Sequence, residues 1–184
     1  MQENIATATT ATAWNLDLSH SELQFKVRHM MISTVTGEFA EFAATATTEG
    51  EDFTTAQVSL TANIASISTR NEQRDTHLHS DDFFASERFP QMIFTSTAME
   101  KVDDENYKLH GNLTIRDITK PVTLEVEFGG LVVDMYGNLR AGFTLQGKIN
   151  RKEFGLMWNA ITEAGGVVVA DDIKILASVS LVKG

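Results

Sequence analysis

The strongest constraint on the fold is a hydrophobic period of two that recurs along most of the chain. In "ELQFKVRH" Leu23, Phe25 and Val27 share one face, with Glu22, Gln24, Lys26 and Arg28 on the other. "AQVSLTANI" sets Val58, Leu60, Ala62 and Ile64 against Gln57, Ser59, Thr61 and Asn63. "YKLHGNLTI", "VTLEVEF", "AGFTLQGKI" and "IKILASVSLV" repeat the pattern through Leu109, Leu113, Leu124, Val126, Phe143, Leu145, Ile173 and Ile175. Such alternation marks antiparallel strands with one wet face. Residues 34–48 and 92–102 predict two further strands. "DDEN" at 103–106, "GG" at 129–130 and "YGN" at 136–138 predict the turns between them.

About eight such strands must bury their apolar faces together, in a closed barrel or in a sandwich. Strand length favours the barrel, because several segments run well beyond the usual five or six residues or so. Pro90 and Pro121 are the two prolines, so little interrupts long strands. A length of 184 residues with 42% hydrophobic and 22% charged residues suits one domain with a sizeable core. Residues 1–13, rich in Thr and Ala, predict a flexible arm ahead of a domain over 14–184.

A formal net charge of -10 argues against partners that are themselves polyanions, such as nucleic acid or an anionic membrane. The chain has no cysteine, which excludes disulfides and thiolate chemistry. No apolar run is long enough for a membrane-spanning helix. "MQENIATATTATA" lacks the basic and apolar regions of a signal peptide, so the chain as written is expected in the cytoplasm, or in the periplasm if it is a processed mature form.

One segment departs from the alternation: "RNEQRDTHLHSDDFF", residues 70–84. Thr69-Arg70-Asn71-Glu72 has the form of a capping box, which predicts a short helix running to about Ser80. His77 and His79 are two apart, a spacing that points them away from each other on a helix, and no metal site is expected. No nucleophile elbow, phosphate loop or zinc-protease motif occurs, and no catalytic residue is assigned. Arg70 and Arg74 either form surface ion pairs or offer a cationic mouth to an anionic head group. Arg151 has the same two readings, a buried structural partner or a ligand contact. Trp14 and Trp158 fall where they can plug the barrel ends.

Six motifs in order resemble the YceI-like family. They are "WNLDLSHSELQF" (14–25), "HMMISTVTGEF" (29–39), "SIST" (66–69) leading into "RDTHLHSDDFF" (74–84), "FPQMIF" (89–94), "GNLTIRDITKPV" (111–122) and "INRKEFG" (149–155). The resemblance implies an all-β, eight-stranded antiparallel barrel of extended lipocalin type with a short helical segment near its opening. It implies an apolar tunnel for a long isoprenoid lipid, of polyprenyl phosphate or quinone type, held without catalysis and without a cofactor. Members of that family often dimerise, so a homodimer is one of the assemblies the resemblance allows. The inward phase of the strands supplies the candidate tunnel wall: Phe25, Val27, Phe39, Phe42, Ile64, Phe94, Leu113, Leu124, Val126, Phe143 and Leu145, with Phe83, Phe84 and Trp158 near the ends. Arg70, Arg74 and Arg151 are the head-group candidates. Two other readings remain: a filled barrel serving as a stress-related scaffold or interaction module, and an enzyme on a lipid-like substrate using Asp75, His77 or Arg74 as acid-base groups.

Overall fold

Alternating segments that each bury one face close on one another in the computed structural model, which describes residues 10–163 and 165–184. The strands are β1 (Ala11–Leu16), β2 (Glu22–His29), β3 (Ser33–Phe39), β4 (Phe42–Glu49), β5 (Asp52–Asn63) and β6 (Ile67–Ser68). After the helix α1 (Glu72–His79) come β7 (Gln91–Lys101), β8 (Asn106–Ile115), β9 (Ile118–Val133), β10 (Leu139–Asn150) and β11 (Val169–Lys183). Neighbours run β1-β4-β5-β7-β8-β9-β10-β11, and β11 returns to β1, so eight antiparallel strands form a closed ring without an edge.

The predicted ring of eight holds, but three details differ from the sequence reading. Residues 34–48 form two strands, because the chain turns a corner at Ala40–Glu41, where Ala40 N–H donates to the Ser66 carbonyl. The Gly129–Gly130 pair makes no turn. β9 runs through it, and the extra residue is absorbed as a bulge opposite Gly142 and Phe143, with Gly130 at φ 110°. Ala11, Thr12 and Ala13, assigned to the arm, pair with Glu49, Thr48 and Thr47 of β4. Positions 1–9 of that arm lie outside the described residues.

The two ends of the barrel are built differently because β11 changes partner. Leu181–Lys183 pair with β1, whereas Ile173–Ser178 pair with β2. Between β1 and β2 the chain jogs through a 3-10 turn, Leu18–His20, capped by Asp17. Asp17 and Asp134 both accept from Arg140, each at 2.7 Å, which ties this jog to the β9–β10 hairpin. Hydrogen bonds from Ser19, then Arg140 and His20, hold the Asp17 carboxyl well below the usual carboxylate range. Arg140, with backbone donors from Asn138 and Tyr136, pushes Asp134 down to about 2.

At this end the barrel is closed by aromatic packing. Trp14 is fully buried, donates from Nε1 to Thr48 Oγ1 at 2.9 Å, and lies 5.2 Å from the Phe53 ring. Phe53 contacts Phe128 and Phe143 at 5.3 and 5.0 Å, and Tyr107 completes the cluster at 6.5 Å from Phe128. At the other end β2, β3 and β6 extend the sheet beyond the ring and lead into α1. Among the described residues no helix is long and apolar enough to cross a membrane.

Candidate functional site: an apolar chamber under a helix

The helix is placed by a polar knot. The expected capping box does not form: Asn71, not Thr69, caps α1 by accepting from Arg74 N–H at 3.0 Å. Thr69 is used differently. Its N–H and hydroxyl both donate to Asp75 Oδ1, while Arg74 Nε donates to its hydroxyl and Arg74 Nη2 to its carbonyl, each at 2.8 Å. Asx caps at this position are at least as favourable as Thr, which frees Thr69 for the side-chain network. Held this way, α1 turns Arg74, His77 and Leu78, neighbours at three- and four-residue spacing, toward the barrel interior.

Beneath them is a chamber of about 440 Å³, within the range of small-molecule sites. Its walls include Phe25, Val27, Phe39, Phe83, Phe84 and Trp158, all expected there from the sequence. Phe83 lies 5.6 Å from Trp158, and His77 meets both rings edge-on at 5.0 and 4.7 Å. A second chamber of about 120 Å³ lies toward the closed end, walled by Phe94, Leu113, Leu124, Val126, Phe143 and Leu145. Leu23, Met92 and Ile175 border both chambers and form the waist between them.

Three expected contacts fall elsewhere. Phe42 and Ile64 are buried but line neither chamber. Ile64 opens a 3-10 turn where the strand alternation stops, and Phe42 is the first residue of β4, opposite Ala62, so both fill the packed seam. Arg70 is exposed at φ 62° on the approach to the helix and lines neither chamber.

Arg151 borders the chamber but is held as a staple. It is 2% exposed and donates to four carbonyls: Leu156 (2.6 Å), Trp158 (2.8 Å), Ala170 (2.9 Å) and Val169 (3.3 Å). Burial lowers its pKa from the ordinary value, and Asp171 at 3.8 Å opposes that shift. Local sequence explains the position. Asn150 caps the 3-10 turn Arg151–Phe154, and Gly155 ends it at φ 78°.

Of the acid-base candidates, Arg74 and His77 line the chamber and Asp75 does not: Asp75 is bound to Thr69, and His77 Nε2 lies 2.8 Å from Asp82. His79 borders neither chamber, and its Nε2 is buried without a hydrogen-bond partner among the described residues. Two cationic-side residues were missed. Arg28 and His29 line the mouth although they belong to β2, whose Leu23, Phe25 and Val27 also line the chamber. His29 continues the inward phase of Leu23, Phe25 and Val27, whereas Arg28 belongs to the opposite phase, which a reading that gives each strand one inner face cannot find. The useful signal is position, since the two residues end the strand just before a turn. Among the described residues, no Asp or Glu lines the larger chamber, in a chain with net charge -10.

A closed antiparallel ring around an internal apolar chamber, with a short helix over its mouth, defines a lipocalin-like barrel. The chain belongs to the YceI-like domain family, whose model matches residues 14–181. A UPF0312 protein of Staphylococcus aureus strain USA300 is 36% identical over 168 residues, covering 91% of this chain and 95% of its own. The crystal structure of Campylobacter jejuni YceI protein superposes with a TM-score of 0.72 at 34% identity, over 91% of this chain and 95% of that one. Burkholderia cenocepacia BcnA gives 0.78 at 21% identity, over 90% and 98% of the two chains. A polyisoprenoid-binding domain from Saccharophagus degradans gives 0.65 at 13% identity, over 94% and 99%. The last two are similar in fold.

Proposed function

We propose that the protein binds and carries a long isoprenoid lipid without chemical turnover, with the chain in the two chambers and a phosphate-type head group at the mouth. The observation that carries this is the contrast between the depth and the mouth of two adjoining chambers. The depth is walled by aliphatic and aromatic side chains, while Arg28 and Arg74, with His29 and His77, stand at the helix end. A prenyl chain has much apolar surface and no hydrogen-bonding needs, so burial at about 25 cal/mol per Å² suffices to hold it. Arginine at the mouth suits a phosphate because it offers paired donors. The Saccharophagus neighbour supports the ligand class, and the family supports a binding role.

Mass spectrometry of an organic extract tests this, using protein purified without detergent beside a control protein from the same host. A prenyl lipid near one equivalent is expected. Phe143→Asp places a carboxylate in the inner chamber and should remove it. Unchanged lipid in a folded Phe143→Asp protein would refute the tunnel reading.

A further inference from the structure

Two turns beside the chamber mouth expose large apolar side chains that the binding site itself does not use. The β2–β3 turn presents Met30, Met31 (58% exposed) and Ile32 (81%). The segment after Arg151 presents Met157 (59%), Ile161 (81%) and Val167, with Ile161 and Val167 facing each other across a small antiparallel bridge. The turns are neighbours: Met30 N–H donates to the Val168 carbonyl at 2.8 Å, and His29 pairs with Val169. All six residues are at least 39% exposed, and clustered apolar exposure of this kind marks an interaction surface more often than singly scattered residues do.

The first turn holds its residues against a backbone preference. Met30 and Met31 stand at φ 54° and 64°, where turns ordinarily use Gly or Asn. Bulky apolar residues in left-handed backbone at a turn tip point to a use for those side chains.

We propose that this collar docks the mouth on the interface of a zwitterionic bilayer, so that lipid passes between membrane and chamber without crossing water. The inference rests on the lipid-binding reading above. Charge fits this occupant. Arg28, with Nη2 donating to the Met31 carbonyl, and Arg74 line the chamber beside this collar, where lipid phosphates would meet them. The nearby acids Asp171 and Asp172 are paired with Lys152 at 3.2 Å and Lys148 at 3.4 Å. Glu163, at the end of the second turn, limits penetration to the head-group layer, and the net charge of -10 disfavours a strongly anionic surface. A second copy on this patch would instead shut the mouth of both chains.

Sedimentation with phosphatidylcholine vesicles tests the proposal, with loading of a detergent-solubilised polyprenol measured separately. Wild-type protein should sediment with vesicles. Ile32→Glu combined with Ile161→Glu alters two exposed positions, so the fold should survive. It should bind vesicles about ten-fold less or weaker still, while loading from detergent stays unchanged. No vesicle binding by the wild type, or equal binding by the variant, would overturn the proposal. So would a wild-type dimer that ignores vesicles and that Ile32→Glu dissociates. Vesicle binding without any polyprenol loading would instead refute the isoprenoid reading and leave the docking surface supported.

Discussion

Replacing Arg151 by methionine isolates what the buried guanidinium holds together. Methionine keeps most of the apolar volume and removes every donor. Of the four carbonyls it serves, that of Leu156 is bonded in a buried setting, and those of Trp158, Val169 and Ala170 in partly buried ones. Stranding the first costs about 1–3 kcal/mol, and stranding those of Trp158 and Ala170, which water can partly reach, about 0.5–1 kcal/mol each, while the Val169 carbonyl keeps its bond from Asn159 Nδ2. The sum is about 2–5 kcal/mol. For a domain of this size that lowers Tm by about 10 °C, to be read by calorimetry. The loss should be local first. Amide exchange of Val168, Val169 and Met30, all bonded in this region, should quicken more than that of the barrel strands. Lipid loading should fall too, because Trp158 and Val169 wall the chamber. Arg151→Lys, whose single ammonium cannot span all four acceptors, should fall between. A Tm change under about 2 °C would refute the reasoning. It would mean that Asn159, which accepts from the Ala160, Val168 and Val169 N–H groups and donates to the Val169 carbonyl, holds the segment by itself.

Other perturbations probe the chambers and the closed end. Met92→Trp fills the waist, so the lipid recovered by extraction should be shorter than in the wild type; an unchanged chain length would show that the inner chamber is not used. Gly37 lies opposite Phe25, whose ring ζ-carbon would stand 2.1 Å from a Cβ there. Gly37→Ala should therefore push Phe25 into the larger chamber, cost about 1–3 kcal/mol and reduce lipid capacity, measured by urea unfolding and titration. Asp17 and Asp134 have folded-state pKa values below their ordinary 3.8, so their contribution to stability is full above about pH 4 and is lost as pH falls toward about 2. Arg140→Ala should raise the acid-unfolding midpoint followed by circular dichroism; an unmoved midpoint would show that the Arg140 bridge does not set it.

The strands and the inward phase were legible in the sequence because burial on one face of a pleated strand forces alternation that no tertiary detail can alter. Phe94, Leu113, Leu124, Val126, Phe143 and Leu145 line the inner chamber as the alternation predicted. The irregular features were decided elsewhere. Whether Gly129–Gly130 turns or bulges depends on what β10 offers opposite, and whether Thr69 or Asn71 caps the helix depends on Asp75 and Arg74 competing for Thr69. Arg70 and Arg74 are four residues apart and of one residue type, yet Arg70, in left-handed backbone ahead of the helix, is exposed, while Arg74, on the helix and bonded to Thr69, lines the chamber. Ile64 and Phe42 look like wall residues by period but sit where strands end. The sequence alone determined a ring of one-sided strands, since apolar period is a local property of the chain. Only the tertiary structure decided that the ring is hollow toward the helix and solid toward Trp14, since a void depends on which side chains meet across the barrel, far apart in the chain.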